Sequence, residues 1–239
     1  MTRSDGRAPE DLRPISIEIG FVENPAGSAL IRMGRTMVLC TVHVAQQVPA
    51  FLRGSGRGWV TAEYSLLPGS TDTRTDREAA RGRPSGRTQE IQRLIGRSLR
   101  AITDMDLLGE RCLYVDCDVL QADGGTRTAA ITGAWVALSA ACDQLVRQHI
   151  LPRSPLRDAI AAVSVGVLGG EVLLDLCYEE DARAEVDMNV VRTGRGRLVE
   201  VQGTGEAGTF DRSELDRMLD VAEQGIDELI RLQRASLET

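Results

Sequence analysis

A chain of 239 residues, 42% hydrophobic and 26% charged, has the composition of an ordinary soluble globular protein and enough length to bury a substantial core. Its net charge of −7 excludes a basic coat for indiscriminate nucleic-acid binding, and its eight aromatic residues exclude extensive base-stacking platforms. All 28 basic residues are arginine, so the position of each carries the information and their total does not.

Met1 to Pro14 is polar and charged, which excludes a signal peptide. Ile15 to Phe21, Ser28 to Met33 and Thr36 to Val44 are β-rich runs, the last two joined by the tight reversal Met33-Gly34-Arg35-Thr36. Trp59 to Leu67 reads as a fourth strand. Pro68 to Gly86 is polar, broken by glycine and proline, and predicts a long loop of the kind that carries function or is disordered. Arg87 opens a helix with Ile91, Leu94, Ile95, Leu99 and Ile102 on its buried stripe and Arg93, Arg97 and Arg100 on another face. Between Arg74 and Arg100 eight arginines meet three acids, a polyanion footprint on an acidic body. In this reading Glu90 supports the helix N-terminus and Arg100 is solvated.

The most informative stretch follows. Cys112 to Leu120 predicts a strand, Gly124-Gly125 a turn that lets backbone approach a ligand, and Thr126 an N-cap opening a helix from about Arg127 to Gln148. Unpaired N–H groups, the positive end of the helix dipole and Arg127 make this corner a phosphate site. Asp116 and Asp118 alternate toward one face of the strand, where a structural hydrogen-bonding role is expected. The helix is apolar nearly all round and therefore central, and its longest apolar run, Ala129 to Cys142, is too short for a bilayer.

Val163 to Leu168 and Glu171 to Tyr178 form a hairpin about Gly169-Gly170; Val186 to Val191 and Leu198 to Gln202 form another pair. Between them Glu179, Glu180, Asp181, Glu185 and Asp187 cluster. Along a straight strand Asp181 and Asp187 would stand about 20 Å apart, so a shared site requires the chain to turn at Ala182-Arg183-Ala184. Two carboxylates on such a bend, facing an arginine-rich cleft, suit Mg²⁺ by oxygen ligation and suit phosphoryl chemistry. Asp211 to Glu214 is a capping box for a last helix reaching about Arg234. Five scattered cysteines and two separated histidines predict buried thiols in a reducing cytoplasm and no histidine catalytic pair. The expected whole is one α+β domain over residues 1–239 with a mixed sheet packed with helices, strands preceding helix in each half.

Asp5-Gly-Arg7 with Leu12-Arg-Pro14, Gly54 to Tyr64, Gly86 to Arg100, Cys117 to Thr128, Asp187 to Val190 and Glu200 to Thr204, in that order over nearly the whole chain, resemble the bacterial RNase PH family. The resemblance implies a ribosomal protein S5 domain 2-like fold and a phosphate-dependent tRNA nucleotidyltransferase that trims RNA 3′ ends, chiefly tRNA precursors. It implies orthophosphate as co-substrate, bound by Arg87, Gly125, Thr126 and Arg127. It matches Asp181 and Asp187 to metal or acid positions, with Arg127 beside them, and Arg74 and Arg77 to an RNA-contacting loop; Arg93 and Arg97 face RNA or a neighbouring subunit. A homohexameric ring, a trimer of dimers, is implied as well. Two other readings stand beside this one: a hydrolytic metal-dependent exonuclease, which needs no orthophosphate, and an inactive RNA-binding ring subunit, which would lack the arginines and carboxylates retained here.

Overall fold

The computed structural model describes residues 3–238. Three strands lead: β1 (Ile15–Ile19), β2 (Gly27–Met33) and β3 (Thr36–Ala45), with Met33 opposite Thr36 across the Gly34 turn. β4 (Trp59–Leu66) and β5 (Cys112–Gln121) are parallel, linked through α1 (Gly86–Ala101) and the short α2 (Met105–Leu108). The sheet order is β1-β2-β3-β5-β4, antiparallel except at its β5-β4 end. After α3 (Thr126–Arg147) come β6 (Ile160–Leu168), β7 (Glu171–Leu174), α4 (Tyr178–Asp181), β8 (Val186–Thr193) and β9 (Leu198–Gly205). The second sheet, ordered β7-β6-β8-β9, is wholly antiparallel, and α5 (Arg212–Leu237) closes the chain. The α+β architecture and the mixed sheet expected from sequence are present, and a second, wholly antiparallel sheet stands beside the mixed one.

The core explains their packing. Inward residues of the first sheet (Ala29, Ile31, Val38, Cys40, Val42, Val115, Cys117) meet α3, whose Ala129 to Leu138 are buried throughout, and α3 also packs on β6. The 22 residues of α3 would suffice by length and composition to cross a bilayer, contrary to the shorter apolar run read from sequence. They are instead largely buried inside the molecule, as expected of a central helix. Ile91, Leu94, Ile95 and Leu99 fix α1 against β4, and Ser85 caps it by accepting from the Thr88 N–H. The Asp211–Glu214 capping box forms with both bonds at 2.8 Å. Buried side chains from Ala29 to Ile230 make one continuous core. All five cysteines are free and buried.

Three further elements differ from the sequence expectation. β7 ends at Leu174 because Asp175 takes a positive φ of 53° and turns its carboxylate into a bidentate pair with Arg13. Tyr178, expected on a strand, instead opens α4. The loop before α1 contains a 3-10 turn at Glu78–Arg81, and Glu78 accepts from Ser85 N–H at 3.2 Å and Thr88 Oγ1 at 2.9 Å, tying the loop to the helix start.

Candidate active site

At the carboxyl end of β5 the chain makes two consecutive left-handed steps, Gly124 (φ 72°) and Gly125 (φ 63°), and enters α3. Gly125 is the N-cap, so Thr126 is the first helical residue and not the cap expected of it. No side chain caps α3 among the described residues, which leaves its first N–H groups facing the cleft. The turn is held from beneath. Thr36 Oγ1 donates to Gly124 O at 2.7 Å and accepts from Asp123 N at 2.9 Å; Arg13 Nη1 donates to Asp123 O at 2.5 Å. Thr126 Oγ1 lies 2.7 Å from the phenol oxygen of Tyr64, a buried residue of β4.

The carboxylates arrive from the second sheet. Asp181 ends α4 and Asp187 sits near the start of β8, the chain turning between them through Ala184 N–H to Asp181 O. That bend is the one their shared use requires. A Cβ on Gly124 would stand 2.6 Å from Leu176 O and 2.9 Å from Tyr178 N, so the glycine turn rests directly on the backbone that leads into α4. Arg3 grips α4 from the other side: Nε and Nη2 donate to both oxygens of Glu180 at 2.8 Å, and Glu180 also accepts from Cys177 N–H.

The electrostatics bind these groups into one site. Burial pushes the Asp187 carboxyl up to about 6, aided by the charge of Asp181 and, more weakly, Glu206; Arg127 and Arg87 pull the other way. Asp181 is raised by burial and Glu206 against Arg87, Arg127 and Arg13. Arg87 and Arg127 thus lie within electrostatic reach of both acids. Asp187 Oδ1 is buried without a hydrogen-bond partner, an orphan oxygen that a proton or a hard cation would satisfy. The donor set therefore fits Mg²⁺, although no cluster of three or more ligating side chains occurs among the described residues.

Arg127 donates to Gln202 Oε1 of β9 at 2.7 Å and pairs with Glu90 of α1 at 3.3 Å. Glu90 therefore serves Arg127 and not the start of α1. Arg87 is exposed at the start of α1. The other arginines are dispersed. Arg74 is exposed and paired with Asp76, Arg77 is exposed, Arg93 is exposed on α1, and Arg97 pairs with Glu200 of β9. Arg100 is not solvated: its guanidinium lies 4.5 Å over the Trp59 ring and donates to Val60 O. Asp116 and Asp118 project from the opposite face of the first sheet beside Glu63, where burial first and that like charge second push both carboxyls up. Among the described residues neither side chain forms the hydrogen bond expected of it, and both meet the like charge of Glu63.

Sequence reasoning missed Tyr64, Arg13 and Gln202. Tyr64 and Gln202 lie within motifs quoted for the resemblance, and Arg13 lies in Leu12-Arg-Pro14, yet the partner of each is remote in sequence.

Comparison with known proteins bears on this geometry. The profile described as 3′ exoribonuclease family, domain 1, matches residues 11–142, and that for domain 2 matches residues 158–225. Ribonuclease PH of Mycobacterium avium (strain 104) is 61% identical over 238 residues, covering 99% of this chain and 92% of that protein. Ribonuclease PH of Bacillus velezensis is 55% identical over 236 residues, covering 98% and 96%. Among solved structures, an Archaeoglobus fulgidus exosome with RNA bound to the active site superposes with a TM-score of 0.80 at 24% identity, covering 95% of this chain and 91% of that one. Rice (Oryza sativa) Rrp46 gives 0.79 at 20% identity, covering 98% and 100%. At those identities the two structures speak for the fold alone.

Proposed function

The chain belongs to the 3′ exoribonuclease family, and from that premise we propose that it is a phosphorolytic 3′-to-5′ exoribonuclease, a phosphate-dependent tRNA nucleotidyltransferase, with the activity of its Ribonuclease PH relatives. The observation that carries the reading is the seat of two guanidinium groups and an open helix N-terminus within reach of two carboxylates that burial and neighbouring acid charge both raise.

Orthophosphate is the co-substrate. Arg87, the Gly125 turn, the Thr126 hydroxyl and Arg127 hold it where N–H donors and guanidinium forks offset its charge. One of its oxygens attacks the phosphorus of the last phosphodiester in line. The bond from that phosphorus to the 3′ oxygen of the preceding nucleotide breaks, and the 3′ oxygen takes up a proton. The products are a nucleoside 5′-diphosphate and RNA one nucleotide shorter. One phosphate linkage replaces another, so diphosphates also extend RNA in reverse.

Asp181 and Asp187 are the residues that would hold Mg²⁺, which supplies positive charge against the oxyanion building on the leaving group. The orphan Oδ1 and the raised pKa of Asp187 equally support its keeping a proton for that 3′ oxygen. Arg74, Arg77, Arg93 and Arg97 contact the RNA backbone upstream. Residues 1–239 act as a single catalytic domain, supported by the continuous core joining both matched stretches. The working form is a hexameric ring, a trimer of dimers, in the cytoplasm, and tRNA precursors are the chief substrate.

The test is to incubate the protein with RNA, Mg²⁺ and radiolabelled orthophosphate. Label in the β-phosphate of the released diphosphate is the expected result; unlabelled monophosphates would mean hydrolysis and would remove the reading.

A further inference from the structure

Thr126 has a hydroxyl with no structural duty in its own helix. Gly125 is the N-cap, and Thr128 Oγ1, not Thr126, bonds back to Gly125 O at 2.9 Å. The partner of Thr126 Oγ1 is the phenol of Tyr64 at 2.7 Å, sixty-two residues earlier in the chain. Tyr64 points inward from β4, opposite Cys117 of β5, and is 3% exposed, so its ring has no freedom to leave. The parallel pairing of β4 with β5 places this phenol under the first turn of α3, within electrostatic reach of both Arg87 and Arg127.

Two hydroxyls share one hydrogen bond, and its direction matters. If Thr126 donated to Tyr64, its lone pairs alone would face the cleft, and an anion there would meet repulsion. A phenol is a stronger acid than an aliphatic alcohol and is the better donor. We infer that Tyr64 is a positioning residue for orthophosphate: its O–H donates to Thr126 Oγ1 and thereby frees the threonine proton to point at a phosphate oxygen. Burial pushes the phenol pKa up against the opposing pull of Thr126, Arg87 and Arg127, which keeps the proton on Tyr64 throughout the working range. The chain of donation then runs from phenol to hydroxyl to anion, each bond polarising the next. This rests on the phosphorolytic reading and on Thr126 as an orthophosphate ligand.

The experiment is a double-mutant cycle on the full-length protein with Mg²⁺ and RNA, following KM for orthophosphate, KM for RNA, kcat and Tm. Tyr64→Phe removes one oxygen and keeps the ring. It should raise KM for orthophosphate about three- to ten-fold and leave KM for RNA unchanged. Thr126→Val should do at least as much, and adding Tyr64→Phe to it should change KM for orthophosphate less than about two-fold. Thr126→Ser, which retains the hydroxyl, should remain sensitive to Tyr64→Phe by about the same three- to ten-fold, so the cycle holds even if the valine variant folds poorly. Additive effects in the double variant, an unchanged orthophosphate KM in Tyr64→Phe, or an equal rise in KM for RNA would each overturn the assignment. Wild-type protein that trims RNA without orthophosphate would instead sink the reading on which it rests.

Discussion

Asp187 is the residue whose environment is most at odds with its charge. Its carboxyl titrates near 6 in the fold against an ordinary 3.8, so the folded protein binds that proton more tightly than the unfolded chain does. Its contribution to stability therefore falls as pH rises from about 4 to about 6, the reverse of a salt-bridged carboxylate. Asp187→Asn should raise stability at pH 7 by about 2 kcal/mol in Mg²⁺-free buffer, read as a higher Tm, while trimming is lost and RNA affinity kept. A lower Tm would show that the ionised oxygen is held favourably. Asp181→Asn should bring the Asp187 pKa down, because Asp181 is the first charge that raises it; carbon-detected NMR titration without divalent ions measures the shift directly. Arg127→Ala should lower kcat/KM for orthophosphate at least about 100-fold with the fold intact, seen in steady-state kinetics at limiting phosphate. Arg127 and the two aspartates were legible as residue types in an anion-and-acid pattern. Tyr64 was not, because a buried tyrosine on a strand looks like any core aromatic until the register of β4 against β5 puts Thr126 above it.

The short α4 shows how an element of four residues is fixed by contacts remote in sequence. A helix this brief has no periodicity to read and little stability of its own. Its geometry comes from Arg3, 177 positions away, and from a small cluster of Leu168, Leu173, Leu176 and Ala184 beneath it. Burial alone would raise Glu180, but the hydrogen bonds from Arg3 and Cys177 N–H and the charges of Arg3 and Arg7 bring it below its ordinary 4.5. Its folded pKa is depressed, so its contribution is complete above about pH 4.5 and is lost as acid carries the pH through the folded value. Arg3→Ala should abolish that acid-side slope in a Tm-against-pH series. Arg13 has the same character with a second duty, since it neutralises the fully buried Asp175 and holds the carbonyl of Asp123. Arg13→Ala should destabilise the fold by about 3 kcal/mol in urea unfolding, because the buried Asp175 carboxylate loses its bidentate partner and keeps only Arg7, 4.0 Å away. The polar N-terminal segment carries no periodicity to read; residues 3–14 become a strap only once Asp175 and Glu180 exist to receive their arginines. By contrast α1, α5 and the Gly169-Gly170 hairpin were plain in sequence because caps, stripes and turn glycines are local signals.

Over the whole molecule, two sheets share one helix. Gln233 of α5 is fully buried and donates to both Thr132 O of α3 and Ile160 O of β6, stitching the first matched stretch to the second. Gln233→Leu should lower stability by about 1–3 kcal/mol in denaturant melts, with one cooperative transition for both sheets. The division into two sheets was not legible, since strand order depends on which edges meet and alternation along a strand does not record its neighbour. The contact at Gly124 has a mechanical consequence. One missing carbon lets the loop proposed to cradle the incoming nucleophile lie on the main chain that leads to the carboxylates proposed to tend the departing oxygen. In that proposal attack and departure are geared through a single seam: whatever pries it open disengages both ends of the exchange at once, and a lesion such as Gly124→Ala should read in kinetics as a failed distance between two otherwise sound partners.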